Sequence, residues 1–128
     1  MKFLAKEIGI NKPIFINTSN KNIAAVYDFQ LKLAESEEVE AQFVAKEIEP
    51  LEYMRKAKEL AELPCEFISS LIDLKEYQKE KLDNLDYHQT LDLSNRLCMR
   101  MLGFSEQSIK DSDKKERKKS VQPKKSTN

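Results

Sequence analysis

Apolar residues in this chain recur with two different periods. Over residues 2–17 the pattern is short and extended. Lys2-Phe3-Leu4-Ala5-Lys6-Glu7-Ile8 alternates imperfectly, Gly9-Ile10-Asn11-Lys12 has turn composition, and Pro13-Ile14-Phe15-Ile16-Asn17 is a β-branched and aromatic run. This predicts a hairpin that must lie on something else, because an isolated hairpin is marginal in water. From Thr18-Ser19-Asn20, which offers helix N-cap residues, the period changes to steps of three and four.

Ile23, Val26, Tyr27, Gln30, Leu33 and Ala34 form one helical face, which fades at Glu35-Ser36-Glu37-Glu38 into a looser set at Val39, Phe43, Val44 and Ile48. Pro50 ends that segment or opens the next, where Leu51, Met54, Ala57 and Ala61 resume the spacing. Pro64 is expected to break this helix and to start another carrying Cys65, Phe67, Ile68, Leu71 and Ile72. Asp73-Leu74-Lys75-Glu76 reads as a cap before a short charged helix through Leu82. A last strong helix is expected from about Asp86 to Leu102, with Tyr87, Leu91, Cys98, Met101 and Leu102 on one face and Leu93 and Leu97 beside it. Gly103 then supplies the left-handed C′ residue and Phe104 its hydrophobic partner. Leu91, Leu97, Met101 and Phe104 are expected to form the central core with Phe67, Ile68 and Leu71.

The fold class that follows is mainly α with a small N-terminal β-hairpin (α+β). A single domain over residues 1–110 would hold the hairpin (about 2–17) and the helices (about 20–109), with a disordered tail over 111–128. Two glycines in 128 residues leave too few turn residues for a β-sandwich or barrel. The formal net charge of zero conceals a division: residues 1–113 carry 15 Lys/Arg and 21 Asp/Glu, whereas 114–128 carry seven and one. The terminal segment is too poor in apolar residues to offset an ordering entropy of about 1–2 kcal/mol per residue.

Candidate chemistry changes this picture little. His88 is the only histidine and has no identifiable partner, so a solvated polar role is expected. The acidic runs Glu35/Glu37/Glu38/Glu40 and Glu59/Glu62/Glu66 read as exposed helix faces, and two isolated glycines build no phosphate loop. Cys65 and Cys98 follow no metal-ligand spacing and sit among apolar neighbours, which predicts reduced, buried thiols. No catalytic, cofactor-binding or metal-binding set is therefore assigned, and no partner-binding residue can be named. The chain is expected to bind proteins rather than to catalyse. The basic run Lys114-Lys115-Glu116-Arg117-Lys118-Lys119 alone would give phosphate affinity, but an acidic body makes nucleic acid an unfavoured partner. The polar opening residues are unlike a signal peptide and no apolar run approaches the ~18–20 residues of a membrane span, which predicts a cytosolic protein.

The stretch Leu71-Ile72-Asp73-Leu74-Lys75-Glu76-Tyr77-Gln78-Lys79-Glu80-Lys81-Leu82-Asp83-Asn84-Leu85 leads into Asp86-Tyr87-His88-Gln89-Thr90-Leu91, and then Arg100-Met101-Leu102-Gly103-Phe104-Ser105-Glu106. This order resembles the tail assembly chaperones of long-tailed (siphovirus-type) phages and prophages of Gram-positive bacteria. So do Lys6-Glu7-Ile8-Gly9-Ile10, Asn20-Lys21-Asn22 before a helix, and the Lys-rich end, although relatives often end in a mixed or acidic segment. The resemblance implies a chaperone of the host cytoplasm that binds tape measure and tail tube proteins during tail morphogenesis and is absent from the finished virion. It also implies a longer form made by programmed frameshifting. The competing reading is a small phage- or host-encoded regulatory binding protein, inhibitor or antitoxin-like.

Overall fold

The computed structural model describes residues 1–111. Two antiparallel strands, β1 (Lys2–Ala5) and β2 (Ile10–Phe15), precede four helices, α1 (Asn20–Val44), α2 (Pro50–Leu71), α3 (Glu76–Asp83) and α4 (Tyr87–Met101). A further helical stretch over residues 106–111 reaches the end of the described chain. The α+β class expected from the two hydrophobic periods is the class observed. The expected disordered segment lies, from residue 112 onward, outside the described residues.

The hairpin is real, but its turn sits earlier than the composition suggested. The chain bends at a 3₁₀ turn over Lys6–Ile8, closed by Gly9 at φ 83°, whose N–H donates to the Lys6 carbonyl at 3.0 Å. Asn11, Lys12 and Pro13, read as turn and strand opening, belong to β2 instead. Phe3 pairs with Ile14 and Ala5 with Ile10, so Leu4 alone faces three residues of β2. Pro13, with no N–H to give a ladder, falls inside this irregular stretch, where the missing donor costs least.

Several local signals act as expected. The Ser19 side chain accepts from the Asn22 N–H at 3.3 Å at the start of α1, and Pro50 occupies the first turn of α2. At the end of α4, Gly103 has φ 99°, its N–H bonds the Arg100 carbonyl at 3.1 Å, and the Phe104 N–H bonds the Met99 carbonyl at 3.0 Å. Those two bonds make a Schellman motif. α1 ends the same way: Lys46 at φ 60° donates to Phe43 at 3.0 Å and Glu47 to Gln42 at 2.8 Å.

Four expectations need correction. Pro64 does not break a helix; it lies buried inside α2, where the Leu60 carbonyl loses only its usual i+4 N–H partner. The apolar face runs through it, from Leu63 past Pro64 to Phe67 and Ile68, and that continuous packing outweighs one missing bond. Asp73 is not the cap of α3; the N-cap is Lys75, whose N–H donates to Gln78 Oε1 at 2.9 Å. On α1 the buried side chains are Val26 and Phe29, while Tyr27 and Ala34 are exposed. On α4 the buried face is centred on Thr90, Leu93, Ser94, Leu97, Cys98 and Met101, leaving Tyr87 exposed and Leu91 half-buried. Thr90 and Ser94 can be buried because their hydroxyls donate to the Asp86 and Leu91 carbonyls at 3.0 and 2.8 Å.

One core joins these elements. Phe3, Ala5, Ile8, Ile10 and Ile16 from the hairpin region meet Phe67, Ile68, Leu82, Leu97 and Met101 from the helices. Phe29 of α1 stacks on Phe67 of α2 with ring centroids 4.3 Å apart. Phe67, Ile68, Leu97 and Met101 are core residues as expected, and Leu71 packs at its margin. Phe104 is 48% exposed and is not part of it.

Candidate functional site

The core occupies only one end of the helical pair. α1 and α2 are about 37 and 33 Å long at 1.5 Å per residue, and they pack side by side. Yet the buried residues of α1 lie in its first half and those of α2 in its second half; no residue from Gln30 to Leu63 is fully buried. The far half is therefore a projecting helical arm. It is held together by half-buried contacts such as Leu33, Val39, Leu60 and Leu63, and by Phe43 stacked on Tyr53 at 4.2 Å.

The arm exposes large apolar side chains among charges. Leu31 is 66% exposed, Val44 75% and Met54 58%, with Leu51 similarly open at the tip. Met54 is thus placed where an adaptable thioether could meet a partner, whereas Met101 is buried. Residues 31–63 carry nine Glu and five Lys/Arg, so the arm is acidic. A shallow groove between the two helices is bordered by Lys32, Glu35, Glu59, Glu62 and Glu66 over Leu60 and Leu63. Of the acidic runs expected on exposed faces, Glu35, Glu59, Glu62 and Glu66 line this groove, while Glu37, Glu38 and Glu40 are exposed elsewhere on α1.

The body from which the arm projects is locked by two arginines of α4. Arg96 Nη2 donates to the Leu4 carbonyl at 2.8 Å, and Arg100 Nη2 to the Lys2 carbonyl at 2.8 Å. Arg96 also lies 4.5 Å above the Phe3 ring and contacts Glu7 at 3.3 Å and Glu106 at 3.0 Å. Arg100 Nε is 3.4 Å from the same Glu106 oxygen, in ion-pair contact but without a hydrogen bond, and Nη1 donates to the Phe104 carbonyl at 3.2 Å. The Arg100-to-Glu106 stretch that carries the family resemblance therefore has a structural role: it ends α4 and fastens the hairpin to it.

The remaining expectations about reactive groups are resolved residue by residue. His88 is exposed in the first turn of α4, edge-on to Tyr87 at 5.9 Å, and its N–H bonds the capping Asp86 carboxylate at 3.1 Å. Both cysteines are free thiols. Burial pushes the Cys98 thiol up to about 12, and burial followed by the nearby Asp83 and Glu66 charges raises that of Cys65, which is only half-buried. Raised thiols are poor nucleophiles and poor metal ligands at neutral pH. Among the described residues no group of three or more His, Cys, Asp or Glu side chains could hold a metal ion. No helix among them is long and apolar enough to cross a membrane.

A clamped α+β body that projects an acidic helical arm with exposed apolar side chains has the form of a protein-binding module. The family model of phage tail assembly chaperone proteins matches residues 1–120, and the chain belongs to that family. No curated protein and no solved structure matches it. The family's role is chaperoning in tail assembly.

Proposed function

We propose that this chaperone binds the tape measure and tail tube proteins in the host cytoplasm, holds them before they polymerise, and leaves before the virion is complete. The observation that carries the reading is the family match over residues 1–120, and the arm gives it a physical basis. An exposed apolar and acidic surface on a firmly anchored body can cover a partner's apolar face and release it again, because the contact area is modest and the charges are screened. The body, residues 1–110, acts as one domain in this reading, and the basic segment is dispensable for partner retention. The host and tail type implied by the resemblance, a long-tailed phage of a Gram-positive bacterium, belong to the same proposal.

Co-expression with the tape measure protein of the same phage tests it. The chaperone should keep that protein soluble and co-purify with it, with or without residues 114–128, and should be missing from purified virions. Retention of neither tail protein, with capture of a host regulator instead, would move the chain to the regulatory class.

A further inference from the structure

The outer side of α1 carries a second periodicity that the core does not use. Ala24, Tyr27, Leu31, Ala34, Glu38 and Ala41 follow one another at alternating steps of three and four, and all six are exposed. This is the heptad spacing of a coiled-coil seam, with apolar or small side chains at five of six positions. It spans about 26 Å of helix and lies on a different face from Val26, Phe29 and Leu33, which face the core and α2. Tyr27 and Leu31, more than half exposed, supply the large side chains, and the alanines allow a second helix to approach closely.

The positions beside the seam decide what can lie on it. In a heptad reading they are Ile23, Asp28, Gln30, Glu35, Glu37 and Gln42: three acids and no base. Lys32, the only cation between residues 22 and 45, falls outside the seam and its flanking positions and borders the groove toward α2, which Glu35 reaches from the flank. A second copy of this helix would bring acids against acids in either orientation, with Glu38 inside the seam as well, and like charges at flanking positions oppose pairing. We infer that the outer face of α1 is a docking seam for an amphipathic helix of another protein, one that carries Lys or Arg beside its apolar stripe. This rests on the chaperone reading for its biological partner, a tail protein, while the seam itself is defined by the spacing and charge of α1.

The test uses the full chain and two synthetic helical peptides with identical Leu/Ala seams, one flanked by Lys and the other by Glu, read by fluorescence anisotropy. The Lys-flanked peptide should bind about tenfold or more tightly than the Glu-flanked one, and the difference should shrink with added salt. Leu31→Ser should weaken binding of the Lys-flanked peptide, and the double change Glu35→Lys with Glu37→Lys should reverse the preference. All three sites are exposed, and circular dichroism checks that the helices persist. Equal binding of the two peptides, a preference that the double change leaves intact, or self-association of the wild type lost in Leu31→Ser would each overturn the proposal. Co-purification with the tape measure protein separates the two levels. Retention unaffected by both variants removes the seam and leaves the chaperone reading. A seam that discriminates between peptides in a chain that retains no tail protein removes the chaperone reading alone.

Discussion

Arg96 and Arg100 stand one turn apart on α4 and donate to the carbonyls of Leu4 and Lys2, two residues apart on β1, each at 2.8 Å. The spacings match: four helical residues rise about 6 Å and two strand residues about 6.7 Å. The Phe3–Ile14 pairing turns the backbone groups of Lys2 and Leu4 away from β2, so these carbonyls lie on the outer edge of the sheet. Two guanidinium groups thus cover an edge that would otherwise offer unpaired acceptors to another strand.

Arg96→Ala should accordingly loosen the hairpin and lower stability by about 2–3 kcal/mol, the range for a half-buried charged donor with several acceptors. Arg96→Lys should recover little, because an ammonium cannot fork between Leu4, Glu7 and Glu106. Thermal unfolding gives the magnitude, and amide exchange at Ile14 and Ile16 shows whether the hairpin opens first.

Leu97 and Phe104 separate the core from its margin. Leu97 has no exposed surface, so Leu97→Ala should cost about 2–5 kcal/mol. Phe104 is 48% exposed, and Phe104→Ala should cost under about 1 kcal/mol. Denaturant unfolding of the two variants checks the contrast; equal losses would place Phe104 in the core after all.

Among the described residues, left-handed backbone occurs at three positions with different surroundings. At Gly9 a Cβ would lie 3.0 Å from the Tyr77 ring, whereas at Gly103 it would meet nothing within 4 Å. Gly103→Ala should cost about 1–2 kcal/mol for the backbone alone, and Gly9→Ala more. Lys46 at φ 60° reverses the sign: Lys46→Gly should stabilise by about 0.5–1 kcal/mol. Melting temperatures of the three variants give the order.

The Cys98 thiol provides a pH test. Its value is raised from 9.0 to about 12 by burial, so above pH 9 the unfolded chain releases a proton that the folded chain keeps. Stability should be unaffected by this group below pH 9 and should decline as pH rises from 9 toward 12. Comparing the wild type with Cys98→Ala across that range isolates the effect. At pH 8, thiol-specific reagents should label half-buried Cys65 before Cys98.

Features written in a few adjacent residues could be read directly. Ser19 before a helical pattern and Gly103 at a helix end act locally, Ser19 through its side-chain oxygen and Gly103 through its backbone N–H. The family, too, was legible in the order of short motifs, and the match over residues 1–120 agrees with it. Pro64, Phe104 and the turn of the hairpin were decided elsewhere. Pro64 stays helical because its neighbours bury it, and Phe104 stays outside because its backbone, rather than its ring, completes the motif that ends α4. Periodicity says that a side chain has an apolar face to lie on, but not which of two faces a neighbouring helix will cover. On α1 the core took Val26 and Phe29 and left Tyr27 and Leu31 in solvent. That choice depends on where α2 and α4 pack, so the projecting arm and its open seam became visible only in the tertiary structure.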